Sequence, residues 1–349
     1  MIERILKHIS NFYAPQDYPA LADQLEKWRE SQPFAGKKLL DATPPYTNTM
    51  VKYLPLLAGG AELAVGIGKL TPFDPKVKPL LESWGIPVLA PEECADDRFD
   101  VIMDCAGVFA KVRTRCGYVE LTRSGAYVYR DVDAPVFFAD AGRIKLIETT
   151  LGTGEGYCRA LKHLGFELCG KSLLVFGGGK VGRGIALYAQ RAGAKVRIAD
   201  FASAKNLLPD GAEAVDADDA AAVASAIREA DFIVSATGIS GALAKHAKAL
   251  CAGSAVIANM GVADEFGDGI PAERVLNAKR PLNFILDEPT NIRYIDPTMA
   301  LDNAGALEVL AGRVERGIVT PPPEIEDEIL DTVRRNGAIR EELNWIEKR

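Results

Sequence analysis

The fold is decided by one stretch, Leu173-Leu174-Val175-Phe176-Gly177-Gly178-Gly179-Lys180-Val181-Gly182. Its apolar start predicts a buried strand, and the glycines after it predict a tight turn that opens a helix. Gly177, Gly179 and Gly182 match G-x-G-x-x-G, the pattern of a chain that turns sharply and brings its backbone close to a pyrophosphate. The free N–H groups of such a helix N-terminus, here Lys180 and Val181, bind phosphate. The stretch therefore predicts a dinucleotide site, against the alternative of a turn that only packs a helix on a sheet.

A second apolar strand, residues 195–199, ends at Asp200. An acid about 20 residues beyond the glycine pattern binds the ribose hydroxyls of a dinucleotide. A carboxylate there would repel a 2′-phosphate, and no Arg immediately follows it. Asp200 therefore favours NAD over NADP as the cofactor.

Length and composition limit the class of protein. A chain of 349 residues predicts two domains, since one domain takes about 150 residues. The formal net charge of −7 disfavours nucleic acid as a partner, and no apolar run is long enough for a membrane span. The six cysteines lack C-x-x-C spacing and the three histidines lack metal-ligand spacing. We expect a cytoplasmic protein with reduced thiols, no metal, and no nucleic-acid or membrane partner.

Strands alternate with helices along the chain, which predicts an α/β fold with parallel sheets. We expect a substrate domain over residues 1–150, completed by residues 298–349, and a doubly wound Rossmann cofactor domain over residues 151–297. Gly152, Gly154 and Gly156 interrupt a helical pattern. They predict a hinge or a close backbone contact, with a simple loop as the alternative.

Several local elements are predicted with less regular patterns. Residues 126–129 and 136–138 are rich in β-formers and predict irregular strands. A last strand is expected at residues 282–286. Helices are expected at about 298–316 and 324–348, and the final one could reach a second subunit of a homo-oligomer.

Two further strands, residues 231–235 and 254–258, end in short polar turns. Ligands of open α/β sheets bind at the carboxyl ends of strands. Thr237, Gly238 and Asn259 are therefore expected to meet the ribose and nicotinamide. The alternative is that these residues only form turns.

The order of these pieces resembles the S-adenosylhomocysteine hydrolase family, whose members are cytosolic, NAD-dependent enzymes of two α/β domains. The matching landmarks are Cys169-Gly170-Lys171, Gly182-Arg183-Gly184, Ala236-Thr237-Gly238 and Asn259-Met260-Gly261. The resemblance implies chemistry in which a tightly held NAD oxidises a ribose hydroxyl. A neighbouring proton is then removed, a thiol is eliminated, and water adds before the final reduction.

Several positions that match the family's histidines differ in this chain. The family's His-Met-Thr turn falls near Pro44-Pro45-Tyr46, its histidine after the Asn-x-Gly turn is replaced by Val262, and its His-Pro falls around Asp296-Pro297. Loss of a base and its orienting histidines costs orders of magnitude in rate. We therefore expect a divergent member of the family that acts on a different substrate.

The family's Lys-Ser-Lys-Phe-Asp-Asn motif is also absent, and Lys145 and Glu148 lie near its position. Lys145 is the candidate for proton transfer or carbonyl polarisation, since burial can lower the pKa of a lysine; the alternative is a solvated surface lysine. Asp104 matches an acidic pair at a strand end of the family and could orient a substrate hydroxyl or merely cap a turn. The candidate substrate-binding residues are Thr47, Asn48, Thr49, Glu288 and Asn291.

The sequence thus predicts an NAD-dependent enzyme that acts by hydride transfer on a small nucleoside, thioether or amino-acid-like substrate. It would be an oxidoreductase, or a hydrolase or lyase with NAD as an internal redox cofactor. Two alternatives stay open: a reductase of imines or keto acids, like amino-acid or opine dehydrogenases, and a non-catalytic NAD-binding regulatory protein.

Overall fold

The computed structural model describes residues 1–69, 71–201 and 208–347. The chain forms two compact units. The discontinuous unit consists of Met1–Ile147 and Ile292–Glu347, and the continuous unit runs from Glu148 to Asn291. The roles predicted for the two domains, substrate binding and cofactor binding, stay predictions.

The described strands, in chain order, are β1 (Lys38–Asp41), β2 (Glu62–Gly66), β3 (Val88–Leu89), β4 (Val101–Asp104), β5 (Gly117–Glu120), β6 (Pro135–Phe138), β7 (Ser172–Phe176), β8 (Lys195–Asp200), β9 (Glu213–Asp216), β10 (Phe232–Ser235), β11 (Val256–Asn259), β12 (Leu276–Pro281) and β13 (Gly317–Val319). The described α-helices are α1 (Ile2–Ile9), α2 (Pro19–Ser31), α3 (Thr49–Ala58), α4 (Val77–Ser83), α5 (Arg123–Tyr129), α6 (Thr153–His163), α7 (Lys180–Arg191), α8 (Ala220–Glu229), α9 (Ala247–Ala252), α10 (Ile292–Leu310), α11 (Pro323–Asn336) and α12 (Arg340–Glu347). None of the described helices is long and apolar enough to cross a membrane.

The discontinuous unit is built on a parallel sheet in the order β13-β6-β5-β4-β1-β2-β3. Its central strands are buried along nearly their whole length, as expected when helices cover both faces of a parallel sheet. One side of the core is formed by Leu40, Ile102, Phe109, Tyr118 and Val136. These strands end in Asp41, Asp104 and Glu120, and the three acids therefore lie together at the carboxyl ends of the strands.

The continuous unit is built on a second parallel sheet in the order β12-β11-β10-β7-β8-β9. The chain begins in the middle of the sheet, builds one half out to β9, returns to the centre, and builds the other half out to β12. This is the doubly wound order of dinucleotide-binding folds, and its strand order reverses between β7 and β10. The α/β prediction with a doubly wound Rossmann sheet is confirmed.

Several local predictions are wrong. Residues 126–129 lie in helix α5, because the Thr122 hydroxyl caps that helix by accepting from the Gly125 N–H at 3.1 Å. Residues 282–286 hold a short 3₁₀ turn after β12. The two predicted C-terminal helices have other bounds in the structure. The first, α10, begins at Ile292 and ends at Leu310, and the second is divided by a break at Gly337 into α11 and α12. Lys348, the predicted end of the last helix, lies outside the described residues.

The alternating glycines mark a close backbone contact within the continuous unit. A π-helical turn over Ile147–Gly152 leads directly into α6. A Cβ added at Gly154 would lie 2.2 Å from the Gly184 carbonyl carbon, and one added at Gly156 would lie 2.7 Å from the Pro289 oxygen. Gly154 thus lets α6 approach α7, and Gly156 lets it approach Pro289, which is the close backbone contact that the sequence predicts.

Candidate cofactor site

Two glycines of the turn between β7 and α7 are required by the protein's own packing. Gly177 has φ +98°, a conformation that favours glycine, and a Cβ added there would lie 2.5 Å from the Ala236 oxygen. A Cβ added at Gly182 would lie 1.8 Å from the Gly177 oxygen. These two residues fix the turn and seat the helix on it.

Gly179 is different, because nothing in the described protein needs it to be glycine. Its φ is −69°, which any residue adopts, and an added Cβ would meet no heavy atom within 4 Å. Gly179 is exposed and caps α7, which begins at the exposed Lys180. The space in front of it is where a dinucleotide fold brings the pyrophosphate up to the backbone. No described residue fills the space in front of Gly179.

Asp200 is anchored against this turn. Its Oδ2 accepts from the Gly178 N–H at 2.5 Å and its Oδ1 accepts from the Phe201 N–H at 2.7 Å. An ionised carboxylate has about four lone-pair sites, so two protein donors leave acceptor capacity for a ribose diol. The half-buried Asp200 is thus held where the ribose of a dinucleotide would lie.

A pocket of about 250 Å³ opens beside Gly177, Gly179 and Asp200. Apolar side chains, Val223 and Leu243 among them, form its wall. Its lining also includes Thr237, Lys245 and the half-buried His246. Burial lowers the pKa of His246, and the charge of Lys245 lowers it further. An apolar pocket with one fixed carboxylate matches the requirements of an adenosine group.

The turn after β10 is held by Glu265, a residue that the sequence interpretation missed. Its carboxylate is 0% exposed. Oε2 accepts from the Thr237 N–H and hydroxyl, each at 2.8 Å, and from the Ser235 hydroxyl, while Oε1 accepts from the Gly238 N–H at 2.7 Å. The hydrogen-bonding groups of Thr237 and Gly238 are therefore directed to Glu265, and Thr237 borders the pocket through its remaining surface.

Asn259 is likewise engaged by its own loop. Its Nδ2 donates to the Ala263 oxygen at 2.8 Å and to the Lys279 oxygen at 2.6 Å, and its Oδ1 accepts from the Gly261 N–H at 3.0 Å. The side chain is fully buried. The observed contacts make Asn259 a loop-shaping residue, and its predicted contact with a cofactor stays a prediction.

Backbone strain accompanies this loop. Asn277, Ala278 and Lys279 all have positive φ, between 49° and 67°. This conformation costs about 1–2 kcal/mol for a residue such as Ala278 or Lys279. The strained turn presents the Lys279 oxygen to Asn259 and lets Lys279 Nζ reach Asp264 Oδ2 at 2.9 Å. Strain of this kind persists where the surroundings fix a conformation, and it concentrates at functional sites.

In the discontinuous unit, Asp104 uses both carboxylate oxygens on protein donors. Oδ2 accepts from the Tyr129 hydroxyl at 2.7 Å and the Phe109 N–H at 2.8 Å, and Oδ1 accepts from the Cys105 N–H at 2.7 Å. Burial raises its pKa to about 6. These contacts describe the capping alternative, and a catalytic role of Asp104 stays a prediction.

Lys145 is buried, with 5% exposure, so the alternative of a solvated surface lysine is wrong. Its Nζ lies 3.9 Å from Asp140 Oδ1. Thr49, at the start of α3, donates its hydroxyl to the Pro44 oxygen at 2.8 Å, Asn48 is buried, and Thr47 is half-buried. Lys145 and Asp104 thus lie in the discontinuous unit. Thr47, Asn48 and Thr49, at the start of α3, lie in the same unit.

The remaining candidates lie in the continuous unit. Glu148 is half-buried on the π-helical turn. Glu288 and Asn291 are half-buried after the 3₁₀ turn, and the Glu288 carbonyl accepts from Arg159 Nη1 at 2.9 Å. Their roles in substrate binding stay predictions.

The chain has relatives among known proteins, although no protein-family model matches it. An adenosylhomocysteinase of Thermoplasma acidophilum is 25% identical over 332 residues, covering 86% of this chain and 77% of the relative. An adenosylhomocysteinase of Pyrobaculum aerophilum is 31% identical over 204 residues, covering 54% of this chain and 44% of the relative.

The chain is adenosylhomocysteinase-like over most of its length. The resemblance identified from the sequence is confirmed. Among solved structures, a dipicolinate synthase component from Bacillus halodurans matches with a TM-score of 0.54 at 15% identity. The match covers 78% of this chain and 99% of the other, which supports the two-unit α/β fold alone.

This adenosylhomocysteinase-like chain also contains a buried charge cluster that the sequence interpretation missed. Lys52 Nζ lies 2.6 Å from Asp41 Oδ2, 2.6 Å from Asp302 Oδ2 and 3.0 Å from the Thr43 hydroxyl, and the lysine is fully buried. Burial alone would lower the pKa of Lys52, and the two carboxylates reverse the effect and raise it. No spacing rule could have paired residues 41, 52 and 302.

Proposed function

We propose that the chain is an NAD-dependent enzyme whose continuous unit holds the cofactor. Two features carry the proposal: no described residue of the chain requires glycine at position 179, and Asp200 is fixed beside it in a doubly wound sheet. A glycine turn that only packed a helix would need Gly177 and Gly182, and would tolerate a side chain at Gly179.

The residues present fit NAD. The N–H groups at the start of α7 and the exposed Lys180 would hold the pyrophosphate, and Asp200 would hold the adenosine ribose. The pocket wall at Val223 and Leu243 would cover the adenine. NAD supplies a hydride acceptor when bound. The carboxylate of Asp200 would disfavour the extra phosphate of NADP.

The proposed substrate is a small nucleoside, thioether or amino-acid-like molecule, and the proposed reaction is not the ordinary hydrolysis of adenosylhomocysteine. Where the family has histidines, this chain has Val262, which is fully exposed, and Asp296, which is fully buried. Asp296 accepts from the Ala20 and Leu21 N–H groups at 3.0 Å, so it caps α2. Neither residue supplies the proton chemistry of the histidine that it replaces.

Lys145 and Glu148 are the proposed catalytic residues. A buried lysine can move a proton or polarise a carbonyl. We further propose that the protein is a cytoplasmic homo-oligomer that acts on a small-molecule substrate.

Cofactor binding is tested by titrating NADH and NADPH against the full-length protein and following the fluorescence of the reduced nicotinamide. We expect NADH to bind more tightly than NADPH. Gly179→Ala should lose NADH affinity by at least about tenfold, since the methyl group would occupy the space of the pyrophosphate. Equal binding of NADH by the variant would contradict this assignment.

The reaction is tested by incubating the protein with NAD and a panel of nucleosides, thioethers and keto acids while following NADH absorbance. Lys145→Met should abolish turnover of any active substrate, and Lys111→Met, at an exposed position, serves as the matched control. Free exchange of cofactor with the medium would indicate the imine or keto-acid reductase. Bound NAD without any hydride transfer would indicate the regulatory protein.

A further inference from the structure

His246 places an aromatic ring in the wall of the pocket assigned to the adenosine group. It lines this pocket together with Phe176, which is buried, and Phe201, which is exposed. The imidazole centroid of His246 lies 5.7 Å from the ring centroid of Phe176, with 35° between the two planes. Ring pairs at this separation pack favourably. The imidazole is therefore supported by a buried ring at the end of β7.

The local fold fixes the backbone of His246. The residue ends the 3₁₀ turn Ala244–His246, which leads into α9. Leu243, just before this turn, is buried in the same core cluster as Phe176. The Leu243 N–H donates to the Glu265 oxygen at 2.8 Å, and the His246 N–H donates to the Leu243 oxygen at 2.9 Å. Both ends of the turn are thus anchored, which holds His246 at the pocket.

The other polar side chains of the described lining are Asp200, Thr237 and Lys245. Asp200 is the proposed partner of the ribose, and the Thr237 hydroxyl already donates to Glu265 at 2.8 Å. Burial lowers the pKa of His246, and the charge of Lys245 lowers it further, so the imidazole is neutral at pH 7. A flat ligand can cover a neutral ring without removing an ion from water.

The lining also contains apolar side chains that remain open to solvent. Phe201 is 55% exposed and Ile239 is 58% exposed. Both would gain burial of apolar surface under a flat aromatic ligand. A purine base presents such a face, and every base has a π-face on which an aromatic side chain can stack. Resting on the proposed function, we propose that His246 is a cofactor-binding residue that recognises the base by stacking its imidazole on the purine ring.

The expected size of this contact follows from other proteins that bind bases on aromatic rings. Removal of one stacking side chain weakens binding about 5- to 150-fold. Stacking needs a planar ring and no particular hydrogen-bonding group. Replacement of His246 by another aromatic residue should therefore preserve most of the affinity, whereas replacement by alanine should not.

The first test is calorimetry of the full-length protein with ADP-ribose, which carries the adenosine half of the cofactor without nicotinamide. His246→Ala should weaken binding at least about fivefold, and His246→Phe should stay within about twofold of the wild type. His163→Ala is the matched control. It removes the same side chain from an exposed position at the end of α6, outside the pocket, and should bind like the wild type.

The second test observes the imidazole itself. The chain contains three histidines, His8, His163 and His246, so carbon-13 labelling of histidine gives few ring signals. The variants His8→Ala and His163→Ala identify two of them, which assigns the signals of His246 without changing it. A base stacked on the imidazole should shift its ring-proton signals upfield when ADP-ribose is added. The signals of His8 and His163 should keep their positions, and a purely structural His246 would also show no upfield shift.

The possible results separate the two claims. Binding of ADP-ribose by the wild type without an upfield shift at His246, or with equal affinity in His246→Ala, would overturn the inference and leave the proposed function standing. A loss in His246→Phe as large as in His246→Ala would also overturn stacking. The spectra of the wild type decide the case in which a His246 variant fails to fold. No binding of ADP-ribose by the wild type would overturn the proposed cofactor site, and this inference with it.

Discussion

Gly184→Ala is the change whose effect on stability the structure specifies most directly. A Cβ added at Gly184 would lie 1.7 Å from the Thr150 oxygen and 2.6 Å from the Thr150 carbonyl carbon. Both are backbone atoms, so no change of side-chain rotamer relieves the overlap. The π-helical turn that contains Thr150 and helix α7 must move apart, and the contact between Gly154 and Gly184 is disturbed with them.

The cost can be worked from two opposing terms. Overpacking a tight contact costs about 1–3 kcal/mol, and an overlap with backbone lies at the upper end of that range. Alanine regains about 1 kcal/mol of helix propensity over glycine. The net loss is therefore about 2 kcal/mol. For a unit of about 150 residues, the size of the continuous unit, this lowers the melting temperature by about 4–8 °C.

The assay must report on the continuous unit. Trp28, Trp84 and Trp345 all lie in the discontinuous unit, so tryptophan fluorescence reports the wrong part of the chain. Hydrogen exchange of peptides from α6 and α7 measures the local effect directly. Gly179→Ala is the matched control, because its added Cβ meets nothing within 4 Å, and it should exchange like the wild type without nucleotide. Exchange of the Gly184→Ala peptides at the wild-type rate would refute the reasoning.

Three further changes test the discontinuous unit by urea unfolding with tryptophan fluorescence. Lys52→Met leaves buried carboxylates without their cation and should cost about 3–5 kcal/mol; adding Asp302→Asn should recover part of the loss, and an additive double variant would contradict the ion cluster. Burial raises the pKa of Asp296 to about 7, from about 4 in an unfolded chain. Its contribution to stability is therefore complete below about pH 4 and is lost as the pH rises through about 7, so Asp296→Asn should flatten this part of the pH dependence. Thr122→Ala removes the cap of α5 and should cost about 1 kcal/mol; an unchanged midpoint would argue against the cap.

The sequence identified the elements whose signal is local. The apolar run before Gly177 and the acid at Asp200 lie within one strand-turn-helix-strand segment, so their spacing is sufficient to predict the Rossmann sheet. The prediction of a strand at residues 126–129 is wrong because it rests on the strand preference of tyrosine and valine. The Thr122 hydroxyl, which caps the N-terminus of α5, stabilises a helix there. The short strands β9 and β13 have only a weak strand pattern in the sequence, since β9 contains charged residues and β13 has only three residues.

The site was harder to predict than the fold because its decisive contacts are remote along the chain. Glu265 binds Thr237, 28 residues earlier, and Ser235, 30 residues earlier. Lys52 on α3 meets Asp302 on α10, 250 residues later in the chain. Neither pairing follows a helical or strand period. Only the folded chain shows that Thr237 and Gly238 donate to a protein carboxylate.

Residue type alone is a poor guide to catalysis in the discontinuous unit. Asp104 and Glu120 end adjacent strands and are the acids that a search for a catalytic pair would select. Yet Glu120 accepts from the Ala106, Gly107 and Thr122 N–H groups. Burial raises its pKa to about 8, with a further contribution from Asp104. Both carboxylates hold the turn between their strands, where Ala106 has a left-handed φ of 63°. An acid that closes a strained turn cannot leave it to move a proton without opening that turn. For this reason the catalytic assignment is better tested first at the buried Lys145, whose ammonium group is a donor only and cannot close a turn by accepting from its N–H groups.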